Sequence, residues 1–232
     1  MPEPFATWFP NVANYWDIFL QALDATFQMF FIAGAFTLLI GGAFGILLTT
    51  SKVDGIKPNK VIHFVLEVVT NIFRAVPFII LLIFLIPFTR MLVGTSIGVK
   101  GAVVPLIFGA VPFFTRQVET VLAEVDPGKI EAARAMGSGT LGIVFRVYLH
   151  EAVPDLIRVI TITAISLICL TTSAGAVGAG GIGSFAINYG QNLHYQDIVN
   201  LCVILLLIVV SLIQLIGNTL SRATVNKELF HK

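Results

Sequence analysis

Glu131-Ala132-Ala133-Arg134-Ala135-Met136-Gly137 lies within the only long polar segment of this sequence. Between Arg116 and Arg158 stand 11 of the chain's 27 charged residues, whereas the apolar runs on either side contain almost none. We expect a segment so different from its surroundings to have a separate task. Its pattern predicts a loop that docks onto a soluble partner.

The composition of the whole chain is typical of a polytopic membrane protein. Hydrophobic residues make up 56% of it and charged residues only 12%, about half the charged share of an average soluble domain. A net charge of +1 without a basic cluster argues against nucleic acid as a partner. Cys169 and Cys202 lie far apart in apolar runs, so we expect two buried thiols rather than a disulfide or a metal site. The sequence predicts no cofactor.

The first 23 residues are predicted to form an aromatic anchor at the membrane interface, and a loosely ordered tail is the alternative. They contain no Lys or Arg, so they lack the basic start of a cleavable signal peptide. Their anchoring side chains are Trp8, Phe9, Tyr15, Trp16 and Phe19.

Five apolar segments qualify as membrane-spanning helices within a transmembrane domain of residues 24–220, because a hydrocarbon core of about 30 Å needs about 20 helical residues. The predicted spans are 25–50, 72–94, 101–116, 157–177 and 198–220, and the third must borrow residues at its ends. Before the second span, burial of Glu67 or Arg74 at the bilayer centre would cost about 2.5–3.5 kcal/mol. Residues 58–73 are therefore predicted as a separate helix on the membrane surface or in the cytoplasm.

The basic residues predict the orientation of these spans. With the N-terminus outside, 12 of the 14 Lys and Arg residues fall on the inside, and only Arg90 and Lys100 remain outside. The fold class is therefore an all-α membrane protein with five transmembrane helices, its N-terminus outside and its C-terminus inside. Residues 117–156 become a cytoplasmic loop, and residues 221–232 become a cytoplasmic tail.

The interiors of the first, third, fourth and fifth spans contain no Asp, Glu, Lys or Arg, which argues against a proton-coupled or ion-coupled carrier. Mildly polar residues occupy one face of the fourth span and one face of the fifth: Thr163, Ser166, Ser173, Ser211, Gln214 and Asn218. Such residues line a solute path or join helices by hydrogen bonds, and the sequence leaves both readings open. Gly41 and Gly45 form a GxxxG spacing that predicts close helix packing.

Two glycine-containing segments do not predict a nucleotide site. Residues 178–183 satisfy GxGxxG, but they follow a segment of membrane length and lack the βαβ unit of a dinucleotide fold, so we expect a flexible, close-packed outer loop. Gly128-Lys129 is followed by Ile130 rather than Ser or Thr, so a phosphate-binding loop is missing. The chain is predicted not to hydrolyse ATP by itself.

Two short helices joined at a glycine are predicted within the cytoplasmic loop. Asp126 is a suitable N-cap with Pro127 at the first helical position, and Gly137 suits the left-handed position that ends a helix. Ser138 or Thr140 is expected to cap the second helix. In the first helix, Ala132, Ala133 and Ala135 have small side chains that allow another backbone to approach one surface closely. This shape is typical of a helix that inserts into a groove on a partner.

This loop resembles the EAA signature of type I ABC importer permeases. The likeness rests on residues 131–133, on the glycine six residues after the glutamate, on Pro154, and on the position between the third and fourth of five spans. It extends over about residues 25–220. Within that superfamily, the tracts 71–82, 86–90, 93–98 and 175–183 look like methionine-importer permeases. His150 stands where the family usually has proline, which leaves the exit of the docking helix less sharply fixed.

The resemblance implies a non-enzymatic permease in the bacterial plasma membrane, with no catalytic residue of its own. Its implied partners are a second copy of the chain, a pair of cytoplasmic ATPase subunits, an external methionine-binding lipoprotein and membrane lipid. The residues expected to seat the coupling element are Glu131, Ala132, Ala133 and Gly137. Those expected to contact the ATPase groove are Ser138, Gly139, Thr140, Leu141 and Gly142. Candidates for the translocation path or gate are Ser166, Leu170, Thr171, Ser173 and Gln214.

Other function classes remain open at this point. A secondary carrier or channel that acts alone predicts transport by the purified chain without ATP or other subunits. A membrane scaffold or an intramembrane enzyme predicts association or turnover without movement of a solute. The sequence also leaves open whether L-methionine, D-methionine, an oxidised form or a related small peptide is carried.

Overall fold

The structure, a computed structural model, is built from α-helices, three π-helical segments and short connections. It describes the backbone of residues 8–230 and the side chains of residues 8–225. The α-helices are α1 (Pro10–Asn14), α2 (Trp16–Phe36), α3 (Gly42–Thr50), α4 (Lys60–Ala75), α5 (Phe78–Phe84), α6 (Ile86–Val93), α7 (Gly98–Ala123), α8 (Pro127–Ala135), α9 (Thr140–Ile143), α10 (Leu149–Glu151), α11 (Val153–Gly175), α12 (Gly181–Phe185) and α13 (Gln196–Phe230). The π-helical segments are π1 (Thr37–Gly41), π2 (Val144–Tyr148) and π3 (Ala186–Gln191). The described residues contain no β-strand.

Four helical segments are long and apolar enough to cross a membrane, and a bent pair of helices supplies a fifth crossing if it counts as one span. The four are Trp16–Thr50, Gly98–Ala123, Val153–Gly175 and Gln196–Val225. The bent pair is α4 and α5, whose axes differ by 105°. The predicted all-α membrane class is confirmed with four to five candidate spans, and the helix at the third span extends beyond 101–116 at both ends.

The second predicted span, 72–94, is not one helix. The helix α4 ends at Ala75, and Pro77 adopts an extended conformation with ψ 135° before α5 begins. Because a proline disfavours helical backbone in the residue before it, Val76 cannot continue α4. The separate helix expected at 58–73 is present as α4, whereas its position relative to the membrane stays a prediction.

Helix ends differ from the prediction at both termini. The helix α2 begins at Trp16, so it includes the last part of the predicted anchor, since no Gly or Pro interrupts residues 16–24. Likewise α13 continues through most of the predicted tail. Residues 1–7 and 231–232, which the predicted anchor and tail include, lie outside the described part.

Contacts divide the chain into two units, each built from separate stretches. Among the described residues, the first unit comprises residues 8–35, 76–109 and 164–213. The second unit comprises residues 36–75, 110–163 and 214–230.

The first unit has an apolar core rich in aromatic side chains. Its buried members are Val12, Phe19, Ala22, Ile182, Phe185, Ile198 and Cys202. The N-terminal helix is fixed to this core because Asn11 donates two hydrogen bonds to Asp197, from its backbone nitrogen and from Nδ2, both of 2.9 Å. Cys202 is buried as expected, but Cys169 is exposed, contrary to the expectation.

Part of the glycine segment of the first unit is closely packed: Gly181 and Gly183 begin helix α12 rather than lying in a loop, whereas nothing lies within 4 Å of a Cβ on Gly178 or Gly180. A Cβ atom on Gly183 would lie 2.0 Å from the carbonyl oxygen of Thr172, and one on Gly175 would lie 2.5 Å from the backbone nitrogen of Ser184. The backbone nitrogen of Ile182 donates to Oγ1 of Thr26 over 2.8 Å. Glycine is therefore required here by backbone contact, and no strand precedes the segment as a dinucleotide site would need.

The second unit has its own apolar core, which includes part of the loop. Its buried members are Phe114, Val118, Leu122, Ala133, Ile143, Tyr148, Ala152 and Val159. The predicted GxxxG packing is confirmed, because a Cβ on Gly45 would lie 2.6 Å from the Val118 side chain and one on Gly41 would lie 2.9 Å from Phe114.

The segment π1 widens one turn of the long helix between α2 and α3. The buried residues on this stretch are Ala33, Thr37, Gly41 and Gly45, which are each four positions apart. A regular α-helix has 3.6 residues per turn, so a four-residue spacing over three turns needs the wider π geometry.

Candidate functional site

The first helix of the polar loop, α8, has defined caps at both ends. The Asp126 side chain accepts a 2.8 Å hydrogen bond from the backbone nitrogen of Gly128, as an N-cap does. At the other end Gly137 has φ +78°, and its backbone nitrogen donates to the Arg134 carbonyl oxygen over 2.9 Å. The backbone nitrogen of Ser138 donates to the Ala133 carbonyl oxygen over 3.0 Å. Together these bonds form a Schellman motif, so both predicted caps are confirmed.

The second helix of the loop, α9, starts differently from the prediction. Its N-cap is Gly139, and no side chain caps it, so the expected cap by Ser138 or Thr140 is wrong. The Schellman motif explains the difference, because it uses the Ser138 backbone to finish α8. Helical structure then continues through π2 to Glu151, and His150 lies exposed within α10.

The loop is anchored on one side and open on the other. Ala133 is only 4% exposed and lies in the second unit's core beside Ile143 and Tyr148. Three large apolar side chains of the loop are exposed, and we name them together the docking patch: Met136 (79% exposed), Leu141 (73%) and Phe145 (65%). Three exposed apolar side chains on a capped, anchored loop are typical of a protein interface.

The predicted coupling residues fall on both sides of this loop. Those that lie exposed are Glu131, Ala132, Gly137, Gly139, Thr140 and Leu141. Ser138 and Gly142 are half-buried, and Ala133 is buried. Sequence reasoning missed Met136 and Phe145 as candidates, although apolar residues beside a helix-ending glycine in a polar segment could have indicated them. The roles of the predicted coupling residues stay predictions.

Burial and charge perturb one titratable group of the loop. Burial raises the pKa of the Tyr148 hydroxyl, and the nearby Arg134 guanidinium opposes part of that rise. The guanidinium also donates to the Gly55 carbonyl oxygen over 3.2 Å. Lys129 and Glu151 form an ion pair across the loop.

A buried charge network next to the loop was not predicted. Glu119 is 4% exposed, and its carboxylate contacts Lys52 Nζ at 3.1 Å and the Arg116 guanidinium. Arg116 also donates to Asn71 Oδ1 over 2.9 Å. The spacing of Arg116 and Glu119 by three residues predicts a pair on one helix face, but no sequence pattern indicates its third partner, Lys52.

The gate candidates do not converge on a polar site within the described structure. Thr171 and Ser173 donate to carbonyl oxygens of their own helix, over 2.8 Å to Ile168 and 3.0 Å to Cys169. Ser166 and Leu170 on the same helix are half-buried. Gln214 is exposed and donates to Asn218 Oδ1 over 3.2 Å. These residues stay predictions as gate elements.

Comparison with known families matches most of this chain, including the loop and the spans on both sides of it, to one family. The family model described as "Binding-protein-dependent transport system inner membrane component" matches residues 41–227. The chain belongs to this family. It is thus a multi-pass inner-membrane component of a transport system, and the predicted permease family is confirmed.

Members of this family that the chain resembles are described as methionine permeases. It is 41% identical over 206 residues to a probable D-methionine transport system permease protein of Vibrio cholerae, covering 89% of this chain and 92% of the relative. It is 44% identical over 176 residues to a methionine import system permease protein of Bacillus subtilis, covering 76% and 79%. A solved inward-facing methionine ABC transporter matches with a TM-score of 0.86 and 41% identity, over 97% of this chain and 99% of that chain. Both sequence relatives are described as permease proteins.

Proposed function

We propose that this chain is the membrane-spanning subunit of an ATP-driven importer that carries methionine, in its D or L form, or a close analogue. The observation that carries the proposal is the docking patch, which is apolar, exposed and attached to a loop whose other side is buried. Relatives at 41–44% identity named for methionine transport support the substrate.

The proposed arrangement follows the predicted orientation. The N-terminus lies outside, and the loop of residues 117–156 lies in the cytoplasm of a bacterial cell, between spans of a transmembrane domain at residues 24–220. Two copies of the chain pair, two ATPase subunits dock on the two loops, and a binding lipoprotein delivers substrate from the outer side.

The proposed mechanism uses the loop as a rigid connection. Closure of the ATPase subunits on ATP moves the docking patch, with residues 138–142 in the ATPase groove. Because Ala133 is buried in the second unit's core and Gly137 fixes the turn, the loop transmits displacement to the spans rather than bending. Alternating access then follows from a shift between two packed arrangements.

Reconstitution tests this proposal directly. The chain is purified with its partner ATPase and binding protein in proteoliposomes, and uptake of labelled L-methionine and D-methionine is measured with and without ATP. We expect uptake only when ATP and all subunits are present. The form of methionine that is carried better should, when added unlabelled, reduce uptake of the labelled other form. Transport by the chain alone without ATP would favour the stand-alone carrier or channel instead. A Gly137→Val variant is expected to lose uptake and ATPase association while still inserting, because a β-branched residue at φ +78° is strained.

A further inference from the structure

We propose that Arg116 and Glu119 are positioning residues that connect helices α8 and α9 of the polar loop, residues 127–143, to helix α4. We call residues 127–143 the coupling loop. The connection consists of polar contacts within the second unit and begins at Arg134 of α8. This inference rests on the proposed function, because it assigns a route for movement that starts at the docked ATPase.

The first link joins α8 to the turn that follows α3. The Arg134 guanidinium donates to the Gly55 carbonyl oxygen over 3.2 Å. The turn itself is tightly closed. The Gly55 backbone nitrogen donates to the Lys52 carbonyl oxygen over 3.0 Å, and a Cβ on Gly55 would lie 2.3 Å from the Thr50 carbonyl oxygen. Ile56 packs against the core that contains Ala133. A displacement of α8 therefore moves this turn as one body.

The second link is the buried carboxylate of Glu119. One of its oxygens lies 3.1 Å from Lys52 Nζ in the turn, and the other accepts from the Arg116 guanidinium. The Glu119 side chain is 5% exposed, and the Lys52 side chain is 42% exposed. A buried carboxylate without its cations is strongly unfavourable, so Glu119 holds both partners close.

The third link reaches α4. Arg116 donates to Asn71 Oδ1 over 2.9 Å and lies 3.9 Å from Glu67. Several apolar side chains of α4 face outward: Val61, Phe64, Val65 and Ile72 are 51–72% exposed. The inward face includes the half-buried Leu66 and Phe73 and also presents polar groups, including His63 Nδ1 at 3.1 Å from the Leu48 carbonyl oxygen. Polar contacts thus contribute to the position of α4.

The turn at residues 51–59 also leads directly into α4, so the polar contacts act in addition to this covalent connection. The cations and the carboxylate have directional partners, so a change in the turn at Lys52 alters the geometry at Glu119 and then at Asn71. The helices α8 and α4 are expected to move together while these contacts last, and less closely once one link is removed. Couplings of this kind typically change an equilibrium by about 5–150-fold.

Amide hydrogen exchange on the intact complex in nanodiscs tests the connection. Exchange at residues 60–75 and 127–143 is compared between nucleotide-free and ATP-trapped states, and uptake per ATP hydrolysed is measured on the same preparation. Wild type is expected to change in both segments. The variants Glu119→Gln and Asn71→Ala are expected to keep the change at 127–143, to lose it at 60–75, and to transport at least about fivefold less substrate per ATP.

The exposed pair of Asp155 and Arg158 provides a matched control. It has the same three-residue spacing as Arg116 and Glu119, but its side chains are 44% and 60% exposed. Arg158→Gln is expected to behave like wild type. The Asn71→Ala variant removes the hydrogen bond of the last link, leaves the longer Arg116–Glu67 contact and the buried pair intact, and so tests the route even if Glu119→Gln fails to fold.

The outcomes separate this inference from the proposed function. If both variants keep the change at 60–75, or if wild type shows none there, the positioning role is overturned. If the wild-type complex changes in both segments but takes up no methionine, the proposed substrate is wrong and the positioning role stands. If no ATPase associates with wild type, both are overturned.

Discussion

The contacts inside the first unit differ in kind from the contacts inside the second. The first unit relies on an aromatic core and on glycines that bring backbone against backbone, as at Gly183 and Thr172. The second unit also has closely packed glycines, at Gly45 and Gly55, but it adds to its apolar core a buried carboxylate with two cations, and it contains the loop with the docking patch. Packing by close backbone contact leaves little freedom, whereas polar links can exchange partners.

This difference assigns separate tasks to the two units. The first unit is expected to tolerate few substitutions at its contacts and to respond to them by unfolding. The second unit is expected to contain positions where a substitution leaves the fold intact but changes partner binding.

The largest effect is expected from Gly183→Val in the first unit. A Cβ at this position would lie 2.0 Å from a backbone oxygen, which side-chain movement cannot relieve. We expect the free energy of unfolding to fall by more than about 4 kcal/mol. Size-exclusion chromatography and thermal unfolding should therefore detect little folded protein. Gly34→Ala is the control, because its Cβ would meet Leu167 at an ordinary 3.4 Å; a folded, abundant Gly183→Val protein would contradict the comparison.

The next effect concerns the docking patch of the second unit. The triple variant Met136→Ser, Leu141→Ser and Phe145→Ser is expected to weaken ATPase binding by about 2 kcal/mol or more, roughly 30-fold. The thermal midpoint of the isolated chain should not change, because these side chains are 65–79% exposed. Undiminished co-purification of the ATPase would show that the patch is not an interface.

A smaller effect is expected at the N-terminal helix of the first unit. Asp197→Ala removes the acceptor of both hydrogen bonds from Asn11, which we expect to cost about 1–3 kcal/mol. Thermal unfolding measures the loss, and limited proteolysis shows release of α1. Asp17→Ala is the control, since Asp17 is an exposed acid in the first turn of α2. Equal effects of the two changes would mean that helix-end charge, rather than the Asn11 contact, matters.

The smallest effect is a pH dependence of the second unit. Because burial raises the pKa of Tyr148 in the folded state above its ordinary value of 10.0, the folded state binds the proton more tightly than the unfolded state does. This contribution is complete below pH 10 and decreases as the pH rises through the folded-state pKa. Tyr148→Phe should therefore lose less stability than wild type as the pH rises above 10, in thermal unfolding at matched ionic strength. Parallel curves for both proteins would argue against the burial effect.

Features that depend on neighbours in sequence could be predicted. Asp126, Pro127 and Gly137 determine the caps of α8 through local backbone chemistry, and runs of apolar residues determine the spans. The break at Pro77 was less evident, because the apolar pattern continues across it while the backbone does not.

Features that depend on distant residues could not be predicted. Glu119 has a partner three residues away that a helix pattern shows, but Lys52 reaches it from a turn 67 positions earlier in the sequence. The cap at Gly139 was missed because the Schellman motif and a side-chain cap compete for the same backbone, and sequence does not show which prevails. The docking patch was missed in part because exposure of Met136 and Phe145 follows from the burial of Ala133 on the other side.

The wide turn at residues 37–41 determines how many residues this helix can contain. With buried positions four apart from Ala33 to Gly45, π1 accommodates additional length without turning the buried stripe away from its neighbours. Deleting one residue within π1 is expected to restore a regular α-helical turn and to leave Gly45 against Val118, whereas deleting one residue in the regular helix between π1 and Gly45 would rotate everything beyond it by about 100° and move Gly45 away from Val118. The segment π1 is therefore the place where this helix can lose one residue and keep its packing.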